Sequence, residues 1–136
     1  MFGPAGHLYA YLVYGMHTCV NVSTGVDGQA AAVLLRAAEV LGGADTAAAR
    51  RAPARREADL ARGPGNLAAA LGLTLADDGA DLLAPSSAVR LELGPRVREL
   101  RSGPRVGVTG AATRPWRFWL PSPAVSAYRR SPRARE

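Results

Sequence analysis

The sequence predicts a single α+β domain with a curved, mainly antiparallel β-sheet and a few short helices. Three observations carry this. Strand-forming runs and helix-forming runs are segregated along the chain rather than strictly alternating. The first two strand runs are separated by a short glycine-containing turn, which makes them a hairpin. The length of 136 residues suits one domain, and a domain near this size buries roughly two thirds of its unfolded surface.

Leu8 to Val13 is rich in Tyr, Leu and Val and reads as a strand. Tyr9 and Tyr11 fall on one face, with Leu8, Ala10 and Leu12 on the other. His17 to Ser23 reads as the second strand. Thr18, Val20 and Val22 share a face, and His17, Cys19, Asn21 and Ser23 share the opposite one. Tyr14, Gly15 and Met16 form the tip, and Gly25 to Gly28 is a loop. Ala31 to Ala37 reads as a third strand.

An alanine-rich helix is expected from Gly43 to Arg51, with Asp45 as N-cap and Pro53 as the stop. Gly63-Pro64-Gly65-Asn66-Leu67 opens a second helix to Leu71, closed by Gly72. Asp77 to Asp81 is an acidic turn. Val89 to Leu93 alternates as a strand, and Arg96 to Pro104 is polar loop. Arg105 to Val108 and Trp116 to Leu120 read as two further strands. The folded domain is expected over 1–126. A basic, disordered tail over 127–136 would carry Arg129, Arg130, Arg133 and Arg135.

Composition narrows the function. The net charge is +6, and all seventeen basic residues are arginine. A GC-rich genome accounts for the choice of arginine over lysine but not for the positive sign. A basic small domain points to a polyanionic partner, nucleic acid first. Arg50, Arg51, Arg55 and Arg56 form a basic cluster around the end of the first helix. Neither a membrane span nor a leader is indicated. Cys19 is the single cysteine, which fits a reducing cytoplasm. His7 and His17 lack metal-ligand company, so no metal is expected. There is no phosphate-loop, dinucleotide or zinc-protease motif. Asp27, a turn residue, and Glu39, after the third strand, are the acids closest to the hairpin.

The aromatic hairpin is the sharpest signal. Holding an extruded base needs a flat π surface, and extruding it needs a wedge at a protruding tip. Tyr11 can supply the first and Tyr14 the second, although tyrosines in a strand are also ordinary half-buried residues. The two differ in parity, so they share a face only if the chain bends near Gly15.

The run from Met1 to Ser23 resembles the alkyladenine (3-methyladenine) DNA glycosylase family. The resemblance continues in Val33-Leu34-Leu35-Arg36-Ala37, in Gly63-Pro64-Gly65-Asn66-Leu67 and in Arg105-Val106-Gly107-Val108. It ends in Pro115-Trp116-Arg117-Phe118 with Ser122-Pro123-Ala124-Val125-Ser126. It implies excision of alkylated purines from duplex DNA by base flipping and hydrolysis of the N-glycosidic bond, without a cofactor. The implied partner is double-stranded DNA with alkylated or deaminated purines. The implied protein is a cytoplasmic, nucleoid-associated bacterial monomer without a membrane partner.

By the same resemblance, Tyr11 stacks on the flipped base and Tyr14 intercalates into the gap. Met16 and His17 line the minor groove. Asn21 discriminates against the exocyclic amino group of guanine. Arg36 holds water and backbone at the reacting nucleotide. Gly63 and Gly65 offer backbone N–H groups to a phosphate. Two departures are expected to matter. Family members usually carry lysine where Asn66 stands. The glutamate that activates water, with an aromatic and a histidine of the pocket, precedes the Met-Phe of this segment. No catalytic residue is therefore identified within the chain. The expected account is a fragment or a start codon placed too late, inactive alone. The alternative is a non-catalytic nucleic-acid-binding module.

Overall fold

The structure, a computed structural model, describes residues 1–129, 131 and 132. Among the described residues, five strands and two α-helices run in the order β1 (Leu8–Val13), β2 (His17–Ser23), β3 (Ala32–Leu34), α1 (Ala44–Arg50), α2 (Pro64–Leu71), β4 (Arg101–Gly103), β5 (Arg117–Trp119). Single 3₁₀ turns occupy Glu57–Asp59 and Leu75–Asp77. The α+β class holds, with the strands divided between two antiparallel sheets. One has the order β1-β2-β3 and the other pairs β4 with β5.

The β1–β2 register sets Leu8 opposite Val22, Ala10 opposite Val20 and Leu12 opposite Thr18. Leu8, Ala10 and Val20 on this face join the core with Leu67, Ala68 and Ala70 of α2. Alanine at 68 and 70 leaves little side chain between helix and sheet, so α2 settles directly against β2. Leu60, Ala61, Leu73, Leu82 and Ala47 of α1 close the same core.

The outer edge of β1 is partly covered. Gly79 donates to the Leu8 carbonyl, Leu8 donates to Ala80, and the Asp78 carboxylate accepts from the Ala10 amide. At the other end of the sheet, Ala31 donates to the Met1 carbonyl and Gly28 to that of Phe2.

Several boundaries depart from expectation. β3 stops at Leu34, although Leu35 still donates to the Val20 carbonyl. Asp45 is not the cap of α1. Gly43 caps it in the left-handed region, and Asp45 sits in the first turn. Val89 to Leu93 is not a strand; a single Leu91-to-Leu82 backbone bond replaces a ladder. Arg105 to Val108 is not a strand either, because Gly107 at φ 73° turns the chain. The partner of β5 is instead Arg101–Gly103, within the stretch read as loop. Gly72 ends α2 in the left-handed region as expected. Of the expected tail, Arg129 is exposed, and Arg130, Arg133 and Arg135 lie outside the described residues.

Candidate nucleic-acid interface and base pocket

The face of the first sheet opposite the core carries the polar and aromatic side chains. Two rows cross it. Tyr9 pairs with Asn21, and Asn21 with Leu34. Tyr11 pairs with Cys19, and continuing the β2–β3 register by two residues sets Arg36 opposite Cys19. The sequence-predicted residues Tyr11, Asn21 and Arg36 therefore share one wall.

The wall is ordered by local contacts. The Tyr9 and Tyr11 rings stack with centroids 5.6 Å apart and planes 15° from parallel. The buried Asn21 amide donates to the Tyr9 carbonyl at 3.1 Å. Burial pushes the Tyr11 phenol above its ordinary value, and the neighbouring Cys19 and Tyr9 add to the rise while Arg36 opposes it. Burial likewise raises the Cys19 thiol, against the pull of Arg36. The Arg36 guanidinium is held below its usual range by burial first and by the charge of Arg117 next.

The hairpin tip continues beyond the Val13–His17 end of the β1–β2 ladder. Tyr14 lies at φ 54° and Gly15 at φ 68°, and the Met16 amide closes the turn onto the Val13 carbonyl at 3.1 Å. Two successive left-handed residues are what turns a hairpin with the twist of its strands. Glycine adopts that region freely. A tyrosine there is strained by about 1–3 kcal/mol. Tyr14 is 86% exposed and Met16 73% exposed. The chain turns at Tyr14 and Gly15, where the expected bend was placed.

Gly65 meets the hairpin from the helix side. Gly63, at φ 104°, is the N-cap of α2, with Pro64 in the first turn and no side-chain cap. A Cβ on Gly65 would lie 3.1 Å from the Cβ of His17. The start of α2 and the tip end of β2, beside the hairpin turn, are therefore adjacent, and glycine permits the approach. Asn66 donates to the Arg62 carbonyl at 2.8 Å, so it serves the helix start.

The Arg50–Arg56 cluster is tied into the fold more than sequence implies. Arg50 donates to the Ala70 carbonyl, and its guanidinium lies against Gly72. Arg51 donates to the Leu60 carbonyl. Arg56 pairs with Asp59 at 2.8 Å. The Glu39 carboxylate accepts from the Ser122 hydroxyl at 2.5 Å, and Asp27 stays in an exposed loop.

Sequence reasoning missed a second aromatic and cationic group. Arg117, 8% exposed, donates to the Ser126 carbonyl at 2.6 Å and lies 4.6 Å from the Trp119 ring centroid. The signal was present in the Arg–aromatic alternation of Trp116-Arg117-Phe118-Trp119. Among the described residues no group of histidine, cysteine and acid side chains could hold a metal. No helix among them is long and apolar enough to cross a membrane.

Comparison with known proteins gives this geometry a family. The family described as methylpurine-DNA glycosylase matches residues 1–124. A protein of Nocardia farcinica named "Putative 3-methyladenine DNA glycosylase" is 64% identical over 98% of this chain and 65% of its own length. Proteins of the same name from Rhodococcus jostii and Mycobacterium tuberculosis are 63% and 62% identical over 98% of this chain. The match covers 60% and 66% of their respective lengths. The chain thus spans less than two thirds of the length of these curated relatives. It belongs to the methylpurine-DNA glycosylase family.

Proposed function

We propose that this chain is the DNA-engaging and base-holding part of a glycosylase that removes alkylated or deaminated purines from duplex DNA. The observation that carries the reading is the pairing of Tyr14, exposed on left-handed backbone at the hairpin tip, with the Tyr11–Cys19–Arg36 row behind it. A strained, solvent-facing tyrosine contributes little to folding. Its strain is accounted for if the ring fills the gap that an extruded base leaves. Tyr11 then offers the surface on which the extruded base stacks. Asn21, fixed by its bond to the Tyr9 carbonyl, stands as the selective wall against the guanine amino group. Arg36 holds the backbone and water at the reacting sugar. Met16 and His17 meet the minor groove, and the uncapped start of α2 at Gly63 and Gly65 receives a phosphate.

The reaction is hydrolysis of the N-glycosidic bond by an activated water. General-base activation contributes typically ~10²–10⁴-fold. The acids that the sequence sets closest to the hairpin are Asp27 and Glu39; one oxygen of the Glu39 carboxylate accepts from Ser122, and the Asp78 carboxylate is tied to the Ala10 amide at the edge of β1. In line with the family resemblance, the base is assigned to the part of the family protein that precedes the Met1-Phe2 segment. The exposed Tyr14 at the hairpin tip also supports, as a second reading, a chain that binds damaged DNA without cutting it. The proposed protein acts as a monomer, without a cofactor, in the bacterial cytoplasm at the nucleoid.

The test measures release of 3-methyladenine and hypoxanthine from duplex DNA by the 136-residue chain and by the full-length Nocardia farcinica relative. The proposal expects release by the relative and only a trace from the chain. Equal rates would move the general base to Asp27 or Glu39. No release by either protein would favour the binding module.

A further inference from the structure

Between Glu99 and Glu136 the sequence contains no acidic residue. The same stretch brings Arg101, Arg105, Arg114, Arg117 and Arg129 together with Trp116, Trp119 and Tyr128. The β4–β5 ladder turns part of this composition into a surface. Arg101 lies opposite Trp119, and Gly103 lies opposite Arg117. The indole of Trp119 lies so close over Gly103 that a Cβ there would stand 3.1 Å from its ring. Arg105 and Arg114 lie over the ring of Trp116, at 5.9 and 4.7 Å from its centroid.

Among the described residues these arginines have no carboxylate partner. The ion pairs found there both use Asp59, with Arg56 and Arg62. The Arg105 Nε is buried without a hydrogen-bond partner among the described residues. An open cleft of about 350 Å³ lies on this surface. Arg105 adds positive charge to this surface but does not line the cleft. Arg101, Arg117, Trp119, Ser126 and Tyr128 contribute to its lining, and no acidic side chain does.

We propose that this cleft seats an unpaired nucleotide of a DNA strand. The phosphodiester lies against Arg101 and Arg117, and the base lies against Trp119 and Tyr128. The proposal rests on the DNA-binding reading above and adds to it a contact away from the hairpin. Cationic donors interleaved with flat aromatic faces are the recurring chemistry of single-strand binding. An acidic peptide would satisfy the guanidiniums but would leave the aromatic lining without a stacking partner. A nucleotide uses both.

Trp119 reports on its own cleft. In a Trp116→Phe background it is the sole tryptophan, and the replaced residue is exposed. Titration with a short oligothymidylate is expected to quench its emission. Arg101→Gln, at an exposed position, is expected to weaken the quenching interaction about tenfold, as removal of a charge-assisted hydrogen bond does. The salt dependence should become shallower by about 0.7 in log–log slope for each phosphate that is no longer neutralised.

Unchanged Trp119 emission at saturating oligothymidylate overturns the cleft, and so does quenching indifferent to Arg101→Gln. Inorganic phosphate that quenches as strongly as the oligonucleotide reduces the site to a simple anion pocket and overturns the nucleotide assignment. A stronger response to an acidic peptide than to the oligonucleotide does the same. Binding of abasic duplex by the same protein separates the two readings. If it persists while the cleft fails, the hairpin reading stands. If it is absent while the cleft responds, the hairpin reading fails alone.

Discussion

Gly65 at the start of α2 and His17, the first residue after the hairpin turn, approach so closely that a single methyl group on the helix would stand 3.1 Å from the histidine Cβ. The contact locks an uncapped helix start to the strand that carries Cys19 and Asn21. Two segments far apart in sequence thus form one candidate DNA-facing ridge.

Gly65→Ala tests that ridge. Alanine improves helix propensity by about 1 kcal/mol over glycine, which offsets the cost of displacing an exposed histidine. The melting temperature should change little, while affinity for abasic duplex should fall. Unchanged affinity would separate the helix start from the DNA contact.

Tyr14→Gly should stabilise the protein and weaken DNA binding at once. Removing a side chain from left-handed backbone relieves strain of about 1–2 kcal/mol. The missing stacking should cost about 1–3 kcal/mol of affinity for duplex with an abasic site. Tyr9→Ala is the structural comparison. Its half-buried ring stacks on Tyr11, so its removal should cost about 2 kcal/mol of stability. Paired melting and binding measurements distinguish the two tyrosines.

The basic cluster around Pro53 should divide. Arg50 is tied to the Ala70 carbonyl beside Gly72. Arg50→Gln should therefore lower stability by about 1 kcal/mol, the worth of an ordinary hydrogen bond at a helix end. Arg55, exposed, is the better phosphate contact. Arg55→Gln should leave the melting temperature alone and make the salt slope of duplex binding shallower by about 0.9. The opposite pattern would reverse the two roles.

Alkaline pH should destabilise the sheet. Cys19 and Tyr11 are both raised by burial above their ordinary values of 9.0 and 10.0. The unfolded chain therefore loses these protons at lower pH than the folded one. Their contribution to stability is fully present below about pH 9 and is lost as pH climbs through the raised folded values. Urea unfolding followed from about pH 8 upward should show a falling midpoint, and Cys19→Ala should delay its onset. A midpoint independent of pH over that window would contradict the burial of this pair.

The hairpin was legible in the sequence because its faces alternate cleanly. Leu8, Ala10 and Val20 point to the core, while Tyr9, Tyr11 and Cys19 point away. Helix α2 was marked as well, since Pro64 and Gly72 punctuate both ends. Strand β4 was hidden, because Arg101-Ser102-Gly103 has no apolar alternation and pairs only through backbone and the Trp119 ring. Val89 to Leu93 misled in the opposite direction. Its alternation buries two side chains against the core without a neighbouring strand to complete a ladder. The ties of Arg50 and Arg51 to distant carbonyls are invisible in a run of charges.

Whether the hairpin fills a gap in the duplex while the wall behind it holds a base is tested most directly by fluorescence. A 2-aminopurine is placed opposite or beside a lesion, and its emission is followed as protein is added. Unstacking is expected to raise the emission for the wild-type chain and for Tyr9→Ala, but not for Tyr14→Ala. An emission rise that survives Tyr14→Ala, or no rise with the wild-type chain bound to the duplex, would contradict it.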